Sequence, residues 1–148
     1  MTDQPALPIL GVALPLAGLR QHKAWIMEKQ RDLELQDFFW ADVLNGDWKP
    51  LAAEIKRELD GYKGRLGIHG PFWGFSIGTQ DPDVRAVVSK RLMQGLDVCA
   101  AVGATQMVIH SPYTTWDYNN LDYNPGGRES MIERVHACIG AAVKRAED

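Results

Sequence analysis

Apolar and polar positions alternate along this chain between short runs and longer stripes. Ile9 to Leu14 is a continuous apolar run containing Gly11 and ended by Pro15, the pattern of a buried strand. A helical pattern follows from about Leu19 to Gln30. Leu33 to Phe38 then alternates for most of its length, which predicts a second strand with Glu34 and Gln36 on the face opposite Leu33 and Leu35. Leu51, Ile55 and Leu59 at spacing four predict a helix from Pro50 to about Leu59, with Gly61 beyond to stop it. Arg65 to His69 is a short third strand, ended by Gly70-Pro71.

The next helix has a defined start. Asp81 can cap it, Pro82 suits the first helical position, and Asp83 adds negative charge where the helix dipole favours it. Its stripe is Val84, Val88, Leu92, Leu96, Cys99 and Val102, closed by Gly103. Gln106 to His110 is a fourth strand, and a last helix runs from about Arg128 to the end, with Met131 or Ile132, Val135, Ile139 and Val143 inward.

Four consecutive strand-helix units predict one α/β domain over residues 1–148, with a parallel sheet and right-handed crossovers. Two closures satisfy that order: an open doubly wound sheet, or the first half of a (β/α)8 barrel. The barrel half predicts strand order 1-2-3-4 with helices on one face, the open sheet an order such as 2-1-3-4 with helices on both.

Composition narrows the partners. With 16 Lys and Arg against 19 Asp and Glu, the formal charge is −3, so no overall basic field draws in a phosphate backbone and nucleic acid is disfavoured. Cys99 and Cys138 lie in amphipathic helical segments outside any Cys/His cluster, which fits a reduced cytoplasmic setting. The apolar stretch Ala6 to Leu19 lacks a basic flank, carries Pro8 and Pro15, and is too short to span a bilayer, so neither a membrane segment nor a targeting segment is expected.

In either closure, reactive residues gather at the carboxyl ends of the strands. Strand three ends Ile68-His69-Gly70-Pro71-Phe72 and strand four ends Val108-Ile109-His110-Ser111-Pro112, each a His followed by one small residue and then Pro. Counting by two places Gly67 with His69 and Gln106 with Val108 and His110, so the imidazoles can enter one site from neighbouring strands. A lone His at such a place usually bonds a loop carbonyl; a matched pair favours a site, with His69 and His110 its catalytic candidates. Both following loops are long and rich in aromatic and amide groups, including Phe72, Trp73, Tyr113 and Trp116. Aromatic planes among polar groups suit a small polyhydroxylated ligand, which offers C–H faces to stack and hydroxyls to bond. The alternative for Trp73, Phe75 and Trp116 is that they pack as lids on the helices. On strand two, Glu34 faces the same side, and Gln36 or Asp37 is a polar contact at its end. His22 and His136 sit inside helical segments and are surface or boundary residues. No phosphate loop and no GxSxG elbow is present, which removes support for nucleotide binding or serine hydrolysis.

The segments Leu66 to Phe72, Asp81 to Arg85 and Gly103 to His110 resemble the xylose-isomerase-like (β/α)8 barrels, a group that includes sugar phosphate isomerases and epimerases and apurinic-endonuclease relatives. The resemblance covers the third and fourth units and, weakly, Leu33 to Phe38. It implies the (β/α)4 half of a TIM barrel, with His69 and His110 lining a sugar site, or serving as zinc ligands if the protein is endonuclease-like. It also implies a divalent metal, Mg, Mn or Zn, in a full-length parent. The principal ligands of that metal would lie on strands five to eight, beyond Asp148, so no complete metal site is expected in this chain. The reading is therefore a partial sugar or sugar-phosphate isomerase or epimerase, inactive alone. The alternatives are an endonuclease-like hydrolase and a non-catalytic half-barrel that forms a homodimer through its exposed edges. The loops after His69 and His110 carry no Lys or Arg, the first before Asp81 and the second before Arg128, which favours the sugar over nucleic acid.

Overall fold

The computed structural model describes residues 8–114 and 120–147. Trp116, named above as a ligand contact, lies outside them. The elements are β1 (Gly11–Leu14), α1 (Leu16–Glu28), β2 (Asp32–Leu35), α2 (Ala41–Asn45), α3 (Lys49–Glu58), β3 (Leu66–His69), α4 (Pro82–Val102), β4 (Gln106–Val108) and α5 (Gly127–Glu147), with a 3-10 turn at Leu121–Tyr123. The four strands form one sheet in the order β1-β2-β3-β4, every pair parallel. Gly11 pairs with Asp32, Glu34 with Gly67, and His69 with Val108. This is an α/β fold consistent with half of a barrel, and strand order 2-1-3-4 is excluded.

The two sheet faces differ completely. Leu33, Leu35, Leu66 and Ile68 pack against Leu16, Leu19 and Ile26 of α1, Ile55 of α3, and Val98, Cys99 and Val102 of α4. Burial pushes the Cys99 thiol up to about 11, so it behaves there as a small apolar group. The opposite face presents Gly11, Ala13, Glu34, Gly67, Gln106 and Val108 to an open hollow of about 320 Å³. At its amino end Arg65 pairs with Asp32, Nε to Oδ2 at 2.8 Å. Tyr62 bridges the strand starts, its hydroxyl 2.6 Å from Arg31 O and 2.9 Å from Arg65 O. Burial and the nearby Asp32 charge raise that hydroxyl to about 12, which keeps it a donor.

Several expected boundaries shift for identifiable reasons. Helix α1 begins at Leu16 rather than Leu19 because the Asp37 carboxylate, 21 residues away, accepts the Leu16 N–H at 2.9 Å and 3.2 Å. Strand β1 lacks Ile9 and Leu10, since its pairing with β2 begins at Gly11–Asp32 and leaves both exposed. Strand β2 stops at Leu35, after which Phe38 turns into the core with no exposed surface. Strand β4 stops at Val108, two residues short of His110. Helix α2, unmarked by any apolar stripe, follows Trp40. Val84 is exposed on α4, and on α5 the buried residues are Met131, Cys138 and Ala142, while Ile132 and Val143 face outward. Small residues bring α5 close to α4, where Ser89 Oγ donates to Cys138 O at 3.0 Å.

Asp81 caps α4 as expected, accepting from the Asp83 and Val84 N–H groups. Gly103 closes it with φ 79°, a left-handed position that costs glycine nothing. Among the described residues no helix is long and apolar enough to cross a membrane.

Candidate functional site

Parallel pairing of β2, β3 and β4 aligns three residues at one edge. Glu34 opposes Gly67, whose missing side chain leaves its place free, and His69 stands two residues further along the same face. The Glu34 Oε1 to His69 Nδ1 distance is 2.6 Å, and His69 Nε2 lies 2.9 Å from His110 Nε2. An ionised carboxylate only accepts, which puts the proton of the first bond on His69 Nδ1. In the neutral ring Nε2 is then the acceptor, and His110 Nε2–H donates to it. Glu34, His69 and His110 thus form one hydrogen-bonded row from a side chain on the open face to an exposed imidazole. The His69 side chain retains 17% exposure, while His110 is open to solvent.

The residue after His69 helps hold this row. A Cβ at Gly70 would sit 2.5 Å from Val108 O, so only glycine lets the loop leave β3 along β4, with its N–H bonded to that carbonyl at 3.0 Å. Pro71 then packs beside Met107 over Gly95 of α4, where a Cβ would meet the Met107 sulfur at 2.7 Å.

An aromatic wall stands behind the histidines. Phe72 stacks on His110 with centroids 4.0 Å apart and planes at 17°, and meets His69 edge-on at 5.0 Å. Trp73 follows at 5.0 Å from Phe72 and is 56% exposed. Phe39 touches both Phe72 and His69, and Trp40 closes against Trp73 at 5.7 Å. Trp73 also lines a hollow of about 290 Å³ with Val84 and Val87 of α4.

The other expected contacts lie elsewhere. Tyr113 is exposed beneath the Arg128 guanidinium, 5.6 Å from its ring centre, and Arg128 is itself held by Asp122. Gln36 is half-buried, its N–H bonded to Leu14 O at 3.0 Å, and among the described residues no hydrogen bond or ring contact joins it to the histidines. Asp37 accepts the Leu16 N–H at the start of α1, and burial raises its carboxyl above the ordinary value. His22 and His136 are exposed on helices. Phe39 and Trp40 were not expected at the site. Their signal is the run Phe38-Phe39-Trp40 directly after a strand, where the third strand has Phe72-Trp73.

A divalent metal is tested by these donors. His69 Nε2 and His110 Nε2 face each other at 2.9 Å, and the carboxylate on the far nitrogen of His69 is the usual outer support of a metal-bound imidazole. Yet no group of three or more His, Cys, Asp or Glu able to hold an ion occurs among the described residues. Zinc normally takes three or four protein ligands, so this edge fits part of a metal site and supplies two nitrogens.

No protein family matches the chain, and no curated protein matches it. Among solved structures it is similar to the TTHB071 protein from Thermus thermophilus, in a form soaked with ZnCl2, with TM-score 0.57 and 24% identity. The match covers 88% of this chain and 53% of that protein, so the chain spans about half the length of the structure it resembles. At that identity the likeness shows the fold.

Proposed function

We propose that the chain is half of a xylose-isomerase-like (β/α)8 barrel whose Glu34–His69–His110 edge contacts a sugar or sugar phosphate, in an isomerase or epimerase type of site. The carrying observation is the hydrogen-bonded row of those three residues beneath Phe72 and Trp73. Glu34 fixes His69 so that its Nε2 lone pair faces the opening, ready to accept a proton from a substrate hydroxyl that displaces His110. His110, held flat by Phe72, donates to an adjacent oxygen. The Trp73 face takes the C–H side of the sugar ring. A divalent cation, when bound, would polarise a substrate carbonyl. His69 and His110 would hold it only in part, so the chain's own residues bind and orient without completing proton transfer between carbons.

The acidic balance and the absence of Lys and Arg between His110 and Arg128 support a sugar over a nucleic-acid backbone. The test is titration of the isotopically labelled chain with ketoses, aldoses and their phosphates, alongside turnover assays with Mg, Mn and Zn. Expected are millimolar binding that shifts the His69, His110 and Trp73 ring signals, at least tenfold weaker binding for His69→Ala, and no turnover. Absence of binding across the panel, or turnover lost in His69→Ala, would contradict the reading.

A further inference from the structure

The hollow of about 290 Å³ beside the aromatic wall is a separate place from the histidine row, since neither histidine lines it and Glu34 and Phe72 do not either. Phe39, Trp73, Phe75, Val84, Val87 and Arg91 form most of its lining. All of that lining belongs to residues 39–91, so the sheet edges and the open sheet face take no part in it. Val84, Val87 and Arg91 follow one another on α4 at spacings of three and four, which makes them one stripe of that helix. The stripe is not part of the core: Val84 is 38% exposed and Val87 50%, whereas Val88 and Leu92 beside them are fully buried.

Arg91 sets the chemistry of the hollow. Its Nη1 donates to Asn45 Oδ1 at 2.5 Å and to Gln94 Oε1 at 2.8 Å, and Gln94 Nε2 in turn donates to Leu44 O at 2.8 Å. Both Nη1 hydrogens are therefore taken by neutral amide oxygens, which fix the guanidinium without neutralising it. Arg20, Arg65, Arg128 and Arg145 each hold a carboxylate, but among the described residues none pairs with Arg91. Its Nε and Nη2 make no hydrogen bond among those residues either. That free edge is one that meets a planar carboxylate through two parallel bonds.

We infer that this hollow binds a small carboxylic acid with an aromatic or branched aliphatic body, its carboxylate on the free edge of Arg91 and its body against Trp73, Val84 and Val87. Apolar walls with one fixed polar group are the ordinary make-up of a small-molecule site. A volume of about 290 Å³ lies at the small end of such sites, so the body is a single ring or a short branched chain. The charge on Arg91 selects the acid over its neutral amide. A phosphate suits the place less well, because no lysine and no second arginine lines it to balance a second negative charge. Glu34, His69 and His110 take no part, so this site and the sugar reading can fail separately.

The experiment is titration of the isotopically labelled full chain with phenylacetate, followed through the valine methyl and tryptophan indole signals. Phenylacetamide, which lacks the charge, and acetate, which lacks the ring, are the controls. Expected is a millimolar binding curve shared by Val84, Val87 and Trp73, with each control binding roughly tenfold more weakly or worse. Val87→Glu changes a half-exposed residue four positions before Arg91, where the new carboxylate pairs with the guanidinium and occupies the edge meant for the ligand. It should weaken phenylacetate by roughly tenfold or more with the fold intact. Arg91→Gln should give the same loss; because that change also releases Asn45 from α4, Val87→Glu decides the matter if Arg91→Gln fails to fold. No shift at the two valines, equal binding of either control, or undiminished binding by Val87→Glu would overturn the inference. Shifts confined to His69 and His110 would place the acid at the histidine row and overturn it as well.

Discussion

Asp37 shows how one side chain ties two elements together at an electrostatic cost. It holds the first N–H of α1 from the end of β2, and burial raises its carboxyl from the ordinary 3.8. A raised folded value means that Asp37 favours the folded state when protonated. Its contribution is fully present below about pH 3.8 and is lost as pH rises through the raised value. Asp37→Asn keeps an acceptor for Leu16 and removes the buried charge. It should therefore raise Tm at pH 7, with the gain vanishing below about pH 4; a lower Tm at pH 7 would show that the charge itself stabilises the cap. Glu34→Gln tests the other carboxylate. It should weaken the preference of His69 for the Nδ1–H form, read from ring nitrogen shifts, while leaving the fold intact. Glu34 was legible from the alternation of β2, but its partner was not, because the register of β2 on β3 decides which of Glu34 and Gln36 reaches His69. The cap from Asp37 was illegible for the same reason, since it bridges 21 residues of chain.

Among the elements, α4 and the strand three exit carry the clearest tests. Asp81→Ala removes acceptance from two N–H groups at the start of α4 and should cost about 1 kcal/mol by denaturant unfolding. Gly70→Ala should cost more, about 2–3 kcal/mol, because the added methyl meets a backbone carbonyl of β4 at 2.5 Å that cannot swing away. A cost below about 0.5 kcal/mol for that substitution, the range of an ordinary surface change, would mean that the β3–β4 exit is looser than described. The start of α4 was readable because Asp81, Pro82 and Asp83 act locally. Helix α2 and the rotation of α5 were not, since both depend on packing against α4 rather than on their own periodicity.

For the whole molecule, the parallel sheet followed from the alternation of strands and helices, but that alternation left strand orders 1-2-3-4 and 2-1-3-4 both open, and the pairing in the structure decides between them. The site was legible as two histidines at matching strand ends; Phe39 and Trp40 were not, because they reach it from a loop whose path no periodicity fixes. The central claim is that Glu34, His69 and His110 act as one row at the carboxyl edge of the sheet. Long-range nitrogen–proton correlation of the labelled histidine rings, with and without added sugar or Zn, tests it most directly. The account predicts Nδ1–H on His69 and Nε2–H on His110 in the free chain, with both rings moving together on one binding curve. Two rings that respond to the ligand on separate binding curves, or a free chain without those two N–H assignments, would contradict it.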